Sequence, residues 1–130
     1  MLPALNQDPQ AILDRAGVGD IIDADLESHL LQLYFAWEDP SIHVVDEAVF
    51  YRDRAKCKIH NTSSDFYSET LTNAMCAVGA ALTPRHCAEL PQPIVEFFSA
   101  RCKALLDVEL DSPTLSTVSS LVIISGVEVF

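Results

Sequence analysis

Apolar residues recur at helical spacing in the early part of the chain. They fall at i, i+4, i+7, i+8 and i+11, at Leu26, Leu30, Leu33, Tyr34 and Trp37. This spacing puts them on one face of a helix with 3.6 residues per turn and indicates that the face is buried against other helices. Asp23 or Asp25 is expected to provide the N-cap of this helix, and Pro40 to end it.

Proline, glycine and polar segments divide the remaining chain into further predicted helices. These cover residues 6–15, 46 to about 54, 68–82 and 94 to about 108, with a polar loop over residues 58–65. Asp46 and Ser68 open two of the helices. The predicted buried face of the helix over 68–82 is formed by Leu71, Ala74, Met75, Val78 and Leu82. Gly79 in that helix indicates close contact with another helix.

The final segment, residues 115–130, has two interpretations. The run Leu121-Val122-Ile123-Ile124 is apolar and largely β-branched, so propensity alone permits a strand. Ser112 as N-cap and Pro113 at the first helical position favour a helix instead. The segment is too short to span a bilayer. If the domain is incomplete, the apolar face around Leu121, Ile123 and Ile124 is expected to be exposed and to promote association.

Composition indicates one acidic globular domain. The chain has 130 residues, 49% hydrophobic content and a net charge of -11. A chain this apolar can offset its ordering entropy, and a surface this acidic repels phosphate backbones, so direct nucleic-acid contact by this segment is not expected. Residues 1–10 show no signal-peptide pattern, which predicts an intracellular protein with reduced thiols.

No residue is predicted to be catalytic, cofactor-binding or metal-ligating. His86 could act as a base for Cys76 or Cys87, but Cys76 lies in an apolar helix and the side chains of neighbouring residues point different ways. His29, His43, His60 and the His86–Glu89 pair follow no local zinc-ligand pattern. No glycine-rich phosphate loop is present, so no nucleotide cofactor is predicted.

Structural roles, not binding or catalytic ones, are also predicted for the charged and aromatic residues. The cationic cluster of Arg52, Arg54, Lys56 and Lys58 could serve nuclear import or phosphate contact, but cations near a helix C-terminus favour a solvated cluster that complements the helix dipole. Solvated polar faces and helix ends are predicted for Glu27, Glu38, Asp39, Asp107, Glu109 and Asp111. Helical spacing favours a core role over an effector pocket for Tyr34, Phe35, Trp37, Phe50, Tyr51, Phe66, Tyr67, Phe97 and Phe98.

Three blocks in this order resemble the fungal-specific transcription factor domain. This domain is the middle homology or xylanolytic-activator regulatory region of zinc binuclear cluster regulators. The blocks are residues 28–53, residues 67–80 and residues 97–118. The resemblance implies an all-α, irregular bundle of about five to six helices. Residues 23–130 would form the N-terminal portion of a larger helical domain, and residues 1–22 a partly ordered N-terminal segment.

The resemblance also implies a function. It suggests a nuclear, non-enzymatic regulator of transcription whose partners are other proteins or intramolecular domains, with a small-molecule effector and without a membrane. The paired cysteines of a zinc cluster are absent, because Cys57, Cys76, Cys87 and Cys102 stand singly, so zinc and DNA binding are expected only from an associated zinc-cluster domain. Two alternatives stay open: a free-standing helical enzyme or small-molecule-binding protein, and a truncated product without independent activity.

Overall fold

The computed structural model describes residues 8–37, 44–60, 62–82 and 93–128. Within these ranges the chain forms six helices and no strand. They are α1 (Pro9–Arg15), α2 (Ala24–Trp37), α3 (Glu47–His60), α4 (Glu69–Leu82), α5 (Ile94–Glu109) and α6 (Leu115–Glu128). The all-α prediction is confirmed, and the last segment is the helix that the sequence favoured over a strand.

Helix α4 is the centre of the fold. Every residue from Thr70 to Ala80 is buried, and α2, α5 and α6 all pack against this helix. The sequence predicted a single buried face, but small side chains at Ala74, Ala77 and Gly79 let neighbouring helices approach the other faces as well. Leu82, which the apolar spacing assigns to the buried face, is 42% exposed.

Two clusters of apolar side chains form the core. The larger one joins α2, α3, α4, α5 and α6, and its aromatic members include Tyr34, Phe50, Tyr67, Phe97 and Phe98. Helix α3 joins this cluster through the rings of Phe50 and Tyr51. The smaller cluster holds α1 on α5 through Ile12, Leu13 and Leu105. The predicted domain boundary at residue 23 stays a prediction, and α1, within the preceding segment, packs on α5.

Several helix boundaries agree with the predicted caps. Helix α2 begins at Ala24, directly after Asp23. The Val49 backbone N–H donates to Asp46 Oδ1 at 3.0 Å, and the Leu71 N–H donates to Ser68 Oγ at 3.0 Å. Each carboxylate or hydroxyl satisfies a first-turn N–H that has no partner within its helix, which confirms these two N-caps. The predicted end of α2 at Pro40 lies outside the described residues.

Other predicted boundaries were wrong. Helix α1 begins at Pro9, and Asp8 before it has an extended backbone. Helix α3 continues to His60, so residues 58–60 are helical. Helix α6 starts at Leu115, and its cap is Thr114: the Thr114 N–H donates to Thr117 Oγ1 at 3.0 Å, while the Thr117 N–H donates to Thr114 Oγ1 at 3.4 Å. Ser112 and Pro113 therefore precede the helix.

The predicted buried face of α2 also needs correction. In α2 the buried residues are Leu26, Leu30, Leu31 and Tyr34. Trp37 is 54% exposed, and its ring centre lies 6.4 Å from that of Tyr34. In α6, Ile123 and Ile124 are buried and Leu121 is exposed. Of the three residues expected to be exposed if the domain is incomplete, Leu121 is exposed, whereas Ile123 and Ile124 are covered by the other helices.

Candidate functional site

A polar cleft lies where the segment between α1 and α2 meets α2, α4 and α5. Its volume is about 220 Å³. The residues that line it combine one guanidinium, three carboxylates and several neutral groups: Gln10, Asp20, Ile21, Ile22, Glu27, Glu69, Thr72, Asn73, Cys76, Phe98 and Arg101. Such a mixture of opposite charges beside the core makes this cleft the strongest candidate site in the described part of the chain.

Arg101 of α5 is the central residue of the cleft. Its side chain is buried, and its guanidinium connects two parts of the chain. Nε donates to Asn73 Oδ1 of α4 at 2.8 Å, while Nη1 donates to the backbone carbonyls of Val18 at 2.8 Å and Asp20 at 3.2 Å. The cation also lies 5.4 Å from the centre of the Phe97 ring. Arg101 therefore fastens the N-terminal segment to the α4–α5 pair.

The carboxylates of the cleft are held by neighbouring groups. Tyr67 Oη donates to Glu69 Oε1 at 2.8 Å. Glu27 of α2 forms an ion pair with Arg54 of α3, with 3.3 Å between Oε2 and Nη2. Both partners of this ion pair are mostly buried, and Arg54 Nε is itself buried with no hydrogen-bond partner. The Glu27 carboxylate thus links α2 to α3, while the Glu69 contact is local to the start of α4.

Burial sets the protonation behaviour of the cleft. Desolvation lowers the pKa of Arg101, and the nearby Glu69, Glu27 and Asp20 carboxylates act in the opposite direction. Burial is also the largest cause that raises the pKa of Tyr67, followed by the charge of Glu69. The pKa of Cys76 is raised well above its usual value, first by burial and then by the charge of Glu27. Cys76 is therefore a protonated, poorly nucleophilic thiol.

The cleft can bind and orient polar groups. Its carboxylates and backbone carbonyls accept hydrogen bonds, and its guanidinium donates them. The volume is below the roughly 300 Å³ at which pockets for drug-sized ligands begin. The arrangement therefore suits water or a small polar molecule.

A second polar cluster joins α4, α5 and α6. Glu109, at the end of α5, accepts hydrogen bonds from the hydroxyls of Thr70 in α4 and Thr117 in α6, the latter at 2.8 Å. Burial raises the pKa of Glu109, and the Thr117 hydroxyl partly offsets this by stabilising the carboxylate. The pKa of Cys102 is raised to about 12, chiefly by burial and next by the charge of Glu109. This cluster connects three helices at one end of the bundle.

The chemical candidates of the sequence are not brought together among the described residues. Cys76 is buried in α4 as predicted, whereas His43, His86, Cys87 and Glu89 lie outside the described ranges. In the described ranges no three His, Cys, Asp or Glu side chains converge as metal ligands. The helices that can be described are also too short or too polar to cross a membrane.

The charged residues divided into solvated and buried groups. Arg52 is exposed and donates to Asp53, in agreement with a solvated cation. Arg54, Glu27 and Glu109 were predicted to be solvated, but the structure holds them partly buried, in the ion pair and the threonine cluster. Among the aromatic residues, the core prediction fails for Trp37 and Phe66, which are about half exposed.

The sequence carries a signal for the partly or fully buried charged residues. Arg101 follows Ile94 and Phe97 at apolar helical spacing, and Arg54 occupies the corresponding position between Phe50 and Cys57. Glu109 likewise follows Cys102 and Leu105 at this spacing. A charge at a core position of a helix must find a partner or leave the core. Which partner it finds depends on the packing of the helices, which the local pattern does not give.

The comparisons with known proteins place the chain among transcription regulators. It is 37% identical over 57 residues to the nitrogen assimilation transcription factor nirA of Emericella nidulans. The match covers 44% of this chain and 6% of that protein, so the chain corresponds to a small part of its relative. No solved structure gives a significant match. The profile of the fungal specific transcription factor domain matches residues 31–130, which is most of the chain. The chain therefore belongs to the fungal specific transcription factor domain family.

Proposed function

We propose that this chain is a regulatory domain that controls the output of a nuclear transcription factor without catalysing a reaction. The family match over residues 31–130 carries this proposal. DNA and zinc binding would belong to a zinc-cluster domain of a longer protein, because the acidic surface of this chain repels phosphates. Regulation would act through contacts with other proteins or with other domains of the same regulator.

The mechanism is a shift between two arrangements of the N-terminal segment. In one arrangement, Arg101 holds the Val18 and Asp20 carbonyls, and Leu13 packs on Leu105. In the other, this segment is released and the polar groups of the cleft are hydrated. An effector or partner that binds one arrangement better shifts the population toward it. The docked arrangement is the restraining one.

The cleft beside Arg101 is the proposed effector site. Effector binding is supported by the juxtaposition of Arg101 with Glu27 and Glu69 in about 220 Å³. These groups favour a small molecule that carries both hydrogen-bond donors and acceptors. Such a molecule would replace water in the cleft and stabilise the docked arrangement by mass action.

A reporter assay tests the regulatory proposal. The 130-residue chain is placed between a heterologous DNA-binding domain and a strong activation domain, and transcription is compared with that from a flexible linker of equal length. We expect the chain to reduce transcription. Leu13→Asp should restore it, because a buried carboxylate in the cluster with Ile12 and Leu105 releases α1 while the main core remains.

Ile59→Asp is the matched control for Leu13→Asp. It adds the same charge at an exposed position of α3, so it should leave the reduced transcription unchanged. Immunoblots verify equal amounts of each fusion. Equal transcription from the chain, Leu13→Asp and the linker would contradict the proposal, as would an equal effect of the two variants.

A further inference from the structure

A second surface, on the α6 side of the molecule, has the properties of a docking groove. This surface, called here the α3–α6 groove, has a volume of about 250 Å³ and lies between the start of α3, the start of α4 and α6. Its floor is formed by the buried side chains of Val45 and Leu71. On its walls, Phe66 is 47% exposed and Leu115 is 51% exposed. Two large apolar side chains therefore face solvent beside an apolar floor.

The groove continues into an exposed apolar stripe on α6. Val118 and Val122 are about half exposed and follow Leu115 at i+3 and i+7. This spacing puts the three side chains on one face of the helix, over a length of about 10 Å. Groove and stripe together present two helical turns of apolar surface, which is the footprint of one short amphipathic helix.

The negative charge at the rim of the α3–α6 groove indicates which kind of partner can bind there. Asp46 and Asp65 line the groove, and both residues are exposed. No Lys or Arg lines it, although the rest of the chain carries 8 basic residues. A second copy of the chain would bring another net charge of -11 to an acidic surface. Repulsion therefore disfavours self-association, and basic residues are the complement that the rim requires.

We infer that the α3–α6 groove binds a basic amphipathic helix of a partner protein or domain. Leucine-like residues of that helix would cover Phe66, Leu115 and Val118, and its Lys or Arg residues would lie beside Asp46 and Asp65. Apolar contact supplies affinity, while the carboxylates set the orientation and reject acidic helices. This inference deepens the proposed function by naming the chemistry of its protein partner. The regulatory meaning of that partner rests on the proposed function.

Fluorescence anisotropy with synthetic peptides tests the groove directly. The probe is a labelled peptide of about 16 residues with Leu at i, i+3, i+4 and i+7 and Lys on its remaining faces. A peptide of the same composition with its leucines scattered, and one with Glu in place of Lys, are the comparison ligands. At about 0.15 M salt, which screens long-range attraction, we expect saturable binding of the first peptide only.

Surface variants of the full chain then locate the contact. Leu115→Ser should weaken binding about tenfold by removing apolar contact. Asp65→Lys should weaken it about three- to fivefold by reversing a rim charge. The matched controls are Leu110→Ser, which alters an exposed leucine outside the groove, and Asp107→Lys, which makes the same charge change on an exposed part of α5. Both controls should bind like the unaltered chain. Val118→Ser replaces Leu115→Ser if circular dichroism shows that the latter is misfolded.

Several outcomes would overturn the inference. Equal binding of the peptide with scattered leucines would show that net charge alone causes binding. Equal weakening by the control variants would place the contact outside the groove. A dimer in sedimentation that Leu115→Ser dissociates would assign the surface to a second copy. These outcomes leave the reporter result for Leu13→Asp untouched, so failure of the groove and failure of the regulatory proposal can be distinguished.

Discussion

Gly79 of α4 lies directly against the backbone of Leu30 in α2. A Cβ atom at position 79 would lie 2.9 Å from the Leu30 carbonyl carbon, closer than real Cβ atoms approach, and 3.0 Å from its Cα. Both atoms belong to the backbone of a packed helix, so they cannot move aside as a flexible side chain would. The absent side chain of Gly79 therefore sets the distance between α2 and α4.

Gly79→Ala should destabilise the domain by about 1–3 kcal/mol, the usual cost of overpacking a core. The sign of this change in stability is informative, because replacing glycine with alanine in a helix interior ordinarily stabilises by about 1 kcal/mol. Urea unfolding followed by circular dichroism measures the change. Ala81→Ser, at an exposed position of the same helix, should change stability by less than about 0.5 kcal/mol. A Gly79→Ala variant as stable as the unaltered chain would show that the two helices can separate at little cost.

Arg101→Met should lower stability by about 3 kcal/mol, because it leaves Asn73 Oδ1 and the carbonyls of Val18 and Asp20 without their donor. Hydrogen exchange gives a more specific readout. Amides in α1 should exchange faster than in the unaltered chain, while those in the middle of α4 keep most of their protection. Lys103→Met, an exposed change on the same helix, is the control for loss of charge. Unchanged exchange in α1 would contradict the role of Arg101 as a fastener.

Glu109→Gln should make the stability of the domain less dependent on pH. Burial raises the folded-state pKa of Glu109, so the folded state holds this proton more tightly than the unfolded chain does. Stability contributed by the protonated form is present below the ordinary value of 4.5 and is lost as the pH rises through the folded-state pKa. Glutamine removes this loss and still offers an oxygen to a threonine hydroxyl.

The test of Glu109 is a series of urea titrations from pH 4 to 8. At neutral pH, Glu109→Gln should be as stable as the unaltered chain or slightly more stable, within about 1 kcal/mol. Asp107→Asn removes an exposed carboxylate from the same helix and should preserve the original pH dependence. If Glu109→Gln proved strongly destabilising at neutral pH, the negative charge itself would be needed to hold Thr70 and Thr117.

Thr114→Ala should cost about 1 kcal/mol through loss of the α6 N-cap. Ser112→Ala should change stability by less than about 0.5 kcal/mol, because Ser112 lies before the helix. Thermal melting of the two variants separates the cap in the structure from the cap predicted by sequence. A larger loss of stability for Ser112→Ala than for Thr114→Ala would support Ser112 as the N-cap instead.

Local chemistry was sufficient to predict much of the fold. Asp46 and Ser68 were identified as caps because the required side-chain oxygens stand directly before apolar helical patterns. The sequence does not single out Thr114, because Ser112-Pro113 matches the same start signal two residues earlier and only the reciprocal hydrogen bonds with Thr117 select between them. Competing start signals cannot be ranked without the contacts that follow them.

The candidate site depends on packing that no local pattern contains. Arg101 reaches backbone carbonyls 83 and 81 residues away in the chain, and its other partner is 28 residues away. The apolar pattern of α5 shows that position 101 faces the core, but it does not show which carbonyls accept the hydrogen bonds of Arg101. The burial of Glu27 and Arg54 has the same origin, because each is acceptable in the core only once α2 and α3 place it beside the other.

The burial of α4 on nearly all sides has a consequence for synthesis of the protein in the cell. Helix α2 precedes α4 in the chain, whereas α5 and α6 follow it, so two of its three covering helices have not yet emerged when α4 leaves the ribosome. At ordinary elongation rates of roughly 5–20 residues per second, its apolar surface stays uncovered for a few seconds. We expect the nascent chain to need holding chaperones until Ile123 and Ile124 have emerged from the ribosome, and slower translation downstream of α4 should increase that need.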